Sequence, residues 1–244
     1  VHTSIVLSLL GGVLIAVVGE LAAGPLLRSL HVPLEDVYPL ALRYLRIYLL
    51  GMPVILLYNF EAAIYRSVGD TKTPLIALAV SGVLNVLLNL FFVAVLHMTV
   101  DGVAIATVLS NAVSSLLLLR RLTAKQAFIQ VHWRALRVEA KSFGQIMKIG
   151  LPAGIQSAVF AVSNIVIQSA INSLGTVVIA ASSAAYTVEI FAYDVLNAFS
   201  QACTTFVGQN FGAGQIKRCK KTLLLSVLED LIATGTAIAI VLLT

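Results

Sequence analysis

The sequence predicts an all-α integral membrane protein, and three observations carry that prediction. Hydrophobic residues fill 59% of the 244 positions and charged residues only 11%, with a mean hydropathy of +0.98, whereas a soluble domain averages about half apolar and a quarter charged. The apolar text comes in long runs, each near the roughly 20 residues an α-helix needs to cross the hydrocarbon of a bilayer. The basic residues gather in the connections between those runs.

Seven runs have the length and the scarcity of charge expected of a span: Thr3 to Leu27, Leu40 to Tyr65, Pro74 to Leu96, Gly102 to Leu119, Ile149 to Ile171, Thr176 to Val207 and Thr222 to Leu243. The opening VHTSIV has no initiator Met, no basic segment and no small-residue cleavage site, so the first run reads as a span and not as a signal peptide. That opening looks like a cut end, and the closing AIAIVLLT reads as the middle of a helix. The expectation is therefore a piece of a larger protein. Between the second and third runs lies RSVGDTKTPL, read as a tight turn: Gly69 and Asp70 supply turn chemistry, and Thr73 and Pro74 an N-cap followed by the first helical position.

Loop charge sets the orientation. If Arg66 to Pro74 is cytoplasmic, alternation places Arg120 to Lys148 and Gly212 to Lys221 on the same side. Those segments hold thirteen of the sixteen Lys and Arg residues, leaving Arg28, Arg43 and Arg46 for the other side. Cytoplasmic loops are the ones enriched in Lys and Arg. The formal net charge of +5 then belongs to loops beside anionic lipid, and no nucleic-acid partner is needed to explain it.

One connection is long. Residues 123–148 are basic, and Leu136, Ala140, Phe143 and Met147 recur at helical spacing, which predicts an amphipathic surface helix leading into the fifth span. Gly150 and Pro152 permit a bend there. The loop divides the chain into a bundle over 1–122, a connection over 123–148 and a second bundle over 149–244. HTSIVLSLLGGVLIAVVGELAAG and KKTLLLSVLEDLIATGTAIAIVLL show a weak internal likeness.

Polar residues inside spans carry the functional signal, because charge at the bilayer centre is costly and usually faces a bundle interior or a water-filled cavity. In the sixth span Ser182, Tyr186, Glu189, Tyr193, Asn197, Ser200 and Thr204 share one helical face at about 100° per residue, with Asp194 just outside it. Two readings stay open: the face lines an aqueous cavity, or it bonds neighbouring helices. In the fifth span Ser157, Asn164, Gln168 and Asn172 form a second polar face with the same two readings. Asn85 and Asn89 with Ser81, and Thr107, Asn111 and Ser114, read as interhelical packing, the two asparagines also standing as secondary site candidates. Glu61, another secondary candidate, lies five residues before Arg66 and is expected to reach a partner near the membrane surface. His31, His97 and His132 lie near span ends or in a loop, and His2 at the chain start, all without ligand spacing. Cys203 and Cys219 fit no zinc or redox spacing. Trp133 and the tyrosines near span ends read as interfacial anchors.

YRSVGDTKTPL, LNVLLNLFF and DGVAIATVLSN, in that order, together resemble the fourth to sixth helices of the multidrug and toxic compound extrusion (MATE) family. IGLPAGIQSAVFAVSNIVIQSAINSLG and AFSQACTTFVGQNFGAGQIKRCKK resemble the seventh and eighth. The resemblance implies a partial MATE-type bundle: helices three to nine of an expected twelve, arranged in two six-helix lobes joined by a cytoplasmic loop. It also implies export of cationic or amphipathic compounds driven by sodium ions or protons through alternating access. The chain departs from the family in one visible place: Phe160 stands where some members carry a glutamate, eight residues past the Gly-Leu-Pro proline. The coupling ion is therefore left open, and the expected cavity residues, nominated from the helical faces, are Glu189, Asp194, Tyr186, Tyr193, Asn197, Asn164 and Gln168.

The expectation is thus a plasma-membrane antiporter, in the inner membrane if the cell is Gram-negative, working as a monomer among membrane lipids. It uses no cofactor or metal beyond its coupling ion. A lipid-linked sugar flippase of the same superfamily is the alternative in transport, disfavoured by acidic or neutral cavity residues. A non-transporting membrane scaffold is the alternative outside it. No HExxH, GxSxG or paired Asp motif suggests an enzyme.

Overall fold

In hydrocarbon no water satisfies an open backbone N–H or C=O, so an apolar run closes its hydrogen bonds within itself as a helix. A computed structural model describes residues 1–29, 37–124, 129–172 and 174–243, without the side chains of 29, 172, 176, 191 and 240–243. His31 lies outside the described residues, as does the side chain of Asn172. In chain order the helices are α1 (His2–Ser29), α2 (Tyr38–Leu50), α3 (Met52–Ser67), α4 (Lys72–Leu90) with a π-helical turn at Phe91–Val95, α5 (Val100–Leu122), a 3₁₀ turn at Trp133–Ala135, α6 (Ala140–Asn172), α7 (Thr176–Gly212) and α8 (Ile216–Leu243). No strand occurs among the described residues. Five of these helices are long and apolar enough to cross a membrane, six when the bent pair α2–α3 counts as one span. The remaining expected span coincides with α7, a continuous helix outside that set. The chain is a multi-pass membrane protein.

The run from Leu40 to Tyr65, expected as a single span, is broken at Gly51 by a 49° bend. Pro53 causes it: proline has no N–H to continue the α2 ladder and disfavours helical backbone in the residue before it. α3 restarts on the Gly51 carbonyl, which accepts from Val54 and Ile55 at 3.1 Å each. The bend is gripped from both sides. A Cβ on Gly12 of α1 would fall on the Pro53 backbone, and one on Gly51 would fall on the Val108 side chain of α5.

The turn after α3 closes as a Schellman motif, with Gly69 at φ +87° and the Asp70 N–H donating to Tyr65 O at 3.1 Å. The expected N-cap is corrected by two positions: α4 begins at Lys72 with Thr71 at its N-cap, and Thr73, placed inside the helix, has its N–H capped. The Thr73 N–H donates to Asp70 Oδ1 at 2.9 Å, and its Oγ1 accepts from Arg121 Nη1 at 3.0 Å. An aspartate three residues earlier reaches the free N–H better than a threonine could reach its own.

The basic connection also departs from expectation. Residues 129–139 form no α-helix beyond the short 3₁₀ turn, and Leu136 has extended backbone. Val131 is 3% exposed and packs with Ile5, Ile64 and Leu122, while Ile129 and Leu136 cover the same cluster. Of the expected helical face only Leu136 leaves the helix, drawn with Ile129 and Val131 into the open end of a bundle where more apolar area leaves water, while Ala140, Phe143 and Met147 lie on α6. The Val131 N–H donates to Leu122 O at 2.9 Å, and Thr3 Oγ1 donates to Arg137 O at 3.3 Å while accepting from the Glu139 N–H at 3.2 Å. Ala140 to Lys148 are the first turns of α6, which runs through Gly150 and Pro152 without a break.

The chain divides into two compact units, Val1–Pro152 and Ala153–Thr244. In the first, α1 packs on α3 and α2, and α5 packs on α2, α3 and α4. Its interior is small and hydroxyl-rich. Ser81 Oγ donates to Ser110 O at 2.8 Å and Ser114 Oγ to Ala77 O at 2.9 Å, so α4 and α5 approach closely, as small-residue interfaces allow. At the opposite end Arg43 pairs with Asp101 at 3.7 Å and Arg46 with Glu20 at 3.4 Å, and the Arg28 guanidinium lies 6.0 Å from the Tyr38 ring centre. All three arginines outside the basic loops are thereby engaged. In the second unit α7 packs along α8.

Candidate functional site

α7 is one unbroken helix from Thr176 to Gly212, so Ser182, Tyr186, Glu189, Tyr193, Asn197, Ser200 and Thr204 do fall on one helical face. Glu189, Asp194 and Asn197 are exposed in this chain, and Tyr186 and Tyr193 are 53% and 52% exposed. Asn164 and Gln168 stand on α6, where every residue from 151 to 170 is exposed. Among the described residues α6 does not pack along α7, so this chain does not bring those two amides against Glu189.

Toward its C-terminal half the α7 face meets α8. Ser200, Cys203 and Thr204 of α7 and Ser226 and Asp230 of α8 line a groove of about 650 Å³, walled by Phe199, Val207, Phe211, Leu223 and Val227. Asp230 Oδ1 is buried there with no hydrogen-bond partner. This carboxylate is absent from the residues read from sequence. The signal for it was present, since Asp230 falls inside the last expected span, where an acid is itself a functional flag.

The first unit holds the other polar candidates. Asn89 Nδ2 donates to Asn85 Oδ1 at 3.0 Å, and Asn85 Nδ2 to Ser110 Oγ at 3.3 Å, so both asparagines run along the α4–α5 seam. Thr107 and Asn111 donate to carbonyls of their own helix. Glu61 overturns its expectation. It does not reach toward the membrane surface but is 0% exposed, accepting from the Ser115 hydroxyl at 2.9 Å. Five residues along a helix turn the side chain about 140° away, which takes Glu61 off the Arg66 face and into the packing with α5. Among the described residues no group of three or more His, Cys, Asp or Glu could hold a metal ion, and both cysteines are free thiols.

Comparison with known proteins places this geometry in a family. The MatE family profile matches residues 1–91 and 152–244. The probable multidrug resistance protein YpnP of Bacillus subtilis (strain 168) is 33% identical over 193 residues, covering 79% of this chain and 43% of that protein. The probable multidrug resistance protein YoeA of the same organism is 29% identical over 252 aligned residues, 99% of this chain and 53% of that protein. In fold, a MOP superfamily transporter from Pyrococcus furiosus Vc1 superposes with a TM-score of 0.90 at 24% identity, over 98% of this chain and 53% of its own. The chain spans about half the length of the relatives it matches. With both its halves matched, and with a relative a third identical over most of its length, the chain belongs to the MatE family.

Proposed function

We propose that the full-length protein is a secondary active efflux antiporter of the plasma membrane. It exports cationic or amphipathic compounds in exchange for sodium ions or protons by alternating access. Residues 1–122 then belong to one lobe, 123–148 to the cytoplasmic connection and 149–244 to the second lobe. The multidrug resistance named for its relatives supports export of small molecules.

The observation that carries the reading is the α7 face: Glu189, flanked by Tyr186 and Tyr193 and with Asp194 just outside the face, midway along a helix of 37 residues. A carboxylate there attracts either the coupling cation or a cationic substrate, and one cavity that binds both in turn gives exchange when its opening switches sides. Tyrosine faces add cation–π attraction for organic cations, worth about 0.5 to 2 kcal/mol each. The Asn197, Asn164 and Gln168 amides donate and accept without fixed charge, which suits substrates of varied shape. Anionic lipid is the neighbour of the basic loops in this reading, and a monomer the working unit.

Export of a fluorescent cationic dye from proteoliposomes holding the full-length protein tests it. Glu189→Gln and Asp194→Asn together are expected to lower gradient-driven export by roughly tenfold, the loss of about 1.4 kcal/mol of cation binding. Native export rates in that double variant, at every sodium and pH gradient, would remove Glu189 and Asp194 from the mechanism.

A further inference from the structure

Glu61 is the one acid among the described residues that is 0% exposed. It sits where three helices meet, with Ala62 on its own helix, Ala77 from α4 and Leu118 from α5 forming one buried cluster beside it. A carboxylate offers about four acceptor positions on its two oxygens. The structure gives it the Ser115 hydroxyl at 2.9 Å on Oε2, while Oε1 is buried with no hydrogen-bond partner.

The other polar groups nearby are already committed. The Tyr65 hydroxyl donates to Leu118 O at 3.2 Å, and the Ser114 hydroxyl to Ala77 O. The ionisable groups around the site are Tyr58 and Tyr65 on its own helix, with Arg66 and Asp70 beside those tyrosines, and Arg121 on α5, whose Nη1 donates to Thr73. α4 contributes the neutral Thr73 and Ser81, and α1 the neutral Thr3 and Ser8.

This chemistry selects the ion. A metal cation needs several oxygen donors around it, and the site offers a carboxylate, one hydroxyl and hydrocarbon. A proton needs only the carboxylate: once on Oε2 it reverses the 2.9 Å contact, the carboxyl O–H donating to Ser115 Oγ, and leaves no bare charge in an apolar interior. An ionised Glu61 instead requires water or a new donor at Oε1, which the packed cluster admits only if α3, α4 and α5 separate. We propose that Glu61 is a proton-binding site inside the first unit, with Ser115 as its positioning residue, and that proton exchange there drives the opening and closing of this unit. Its use as the coupling site rests on the antiporter reading above. Proton binding itself does not.

The test uses the full-length protein in proteoliposomes. Infrared difference spectra between acidic and alkaline buffer are expected to show a carboxylic-acid C=O band that Glu61→Gln abolishes. Ser115→Ala is expected to keep the band but move its frequency, because the hydrogen bond to the carboxyl group is gone. A band set unchanged by both substitutions, in proteins with native helix content, overturns the proposal. In parallel, export of the fluorescent cation ethidium under an imposed pH gradient is expected to fall about tenfold in Glu61→Gln. Native gradient-driven export in that variant, or export driven by sodium alone, overturns the coupling role. If the native protein moves no dye under any gradient, the antiporter reading falls, and the infrared band alone decides whether Glu61 binds a proton.

Discussion

Asp70 shows how one side chain holds a turn together. Burial works against its charge, but the Thr73 N–H and hydroxyl, the Lys72 N–H and the Arg121 charge outweigh that and hold its carboxyl below the usual carboxylate range. A depressed native value means the stabilisation is complete at neutral pH and disappears as pH falls through that value. Asp70→Ala is therefore expected to cost about 1 kcal/mol at neutral pH, as for other lost helix caps, and the gap to the native protein should close in acid. Thermal unfolding in detergent at the two conditions checks this; an equal gap at both would refute the capping role. Residues of this kind were half legible in the sequence. The Gly69–Asp70 pair announced a turn, but which atom Asp70 would cap depended on where α4 starts. Glu61 was less legible still: its nearness to Arg66 in the text said nothing of rotation about the helix axis, and burial by α5 cannot be seen from α3 alone.

At the scale of elements, the helices were the legible part, because long apolar runs leave the backbone a single way to satisfy itself. The connection after α5 was not. Leu136 satisfies a helical reading with Ala140, Phe143 and Met147 as well as a folded-back reading with Ile129 and Val131, and only the hydrophobic cluster of Ile5, Ile64, Leu122 and Val131 decides between them. This gives the segment a structural duty that a free linker would not have. Val131→Ala, which removes two methyl groups from a nearly closed site, should lower stability by about 2 kcal/mol. An unchanged thermal midpoint would show that the segment is only draped over the bundle. The bend between α2 and α3 was written in Gly51 and Pro53, yet a sequence of this hydropathy reads across it as one span.

For the whole molecule, the distribution of Lys and Arg predicts which side each loop faces. Cys219, set among Lys217, Arg218, Lys220 and Lys221 at the start of α8, is expected on the cytoplasmic side. A membrane-impermeant maleimide should label it in inside-out vesicles and not in intact cells, with Cys203→Ser as background; the reverse pattern would invert the topology. The expected cavity was the least legible feature at this scale. The α7 face could be read from its own helix, but Asn164 and Gln168 were assigned to it by symmetry of character alone, and this chain, about half the length of its relatives, does not set α6 against α7.

The grip on the α2–α3 bend also constrains how this sequence can change over generations. At position 12 the obstacle to any larger residue is the Pro53 backbone, so no substitution elsewhere in α3 makes room, and glycine persists for as long as the two helices cross at this distance. At position 51 the obstacle is the Val108 side chain, which can shrink. A lineage can therefore leave glycine at 51 only by a path in which Val108 is reduced first, the two changes being coupled where they touch. The same bend thus contains one site closed to drift and one whose substitutions must come in a fixed order.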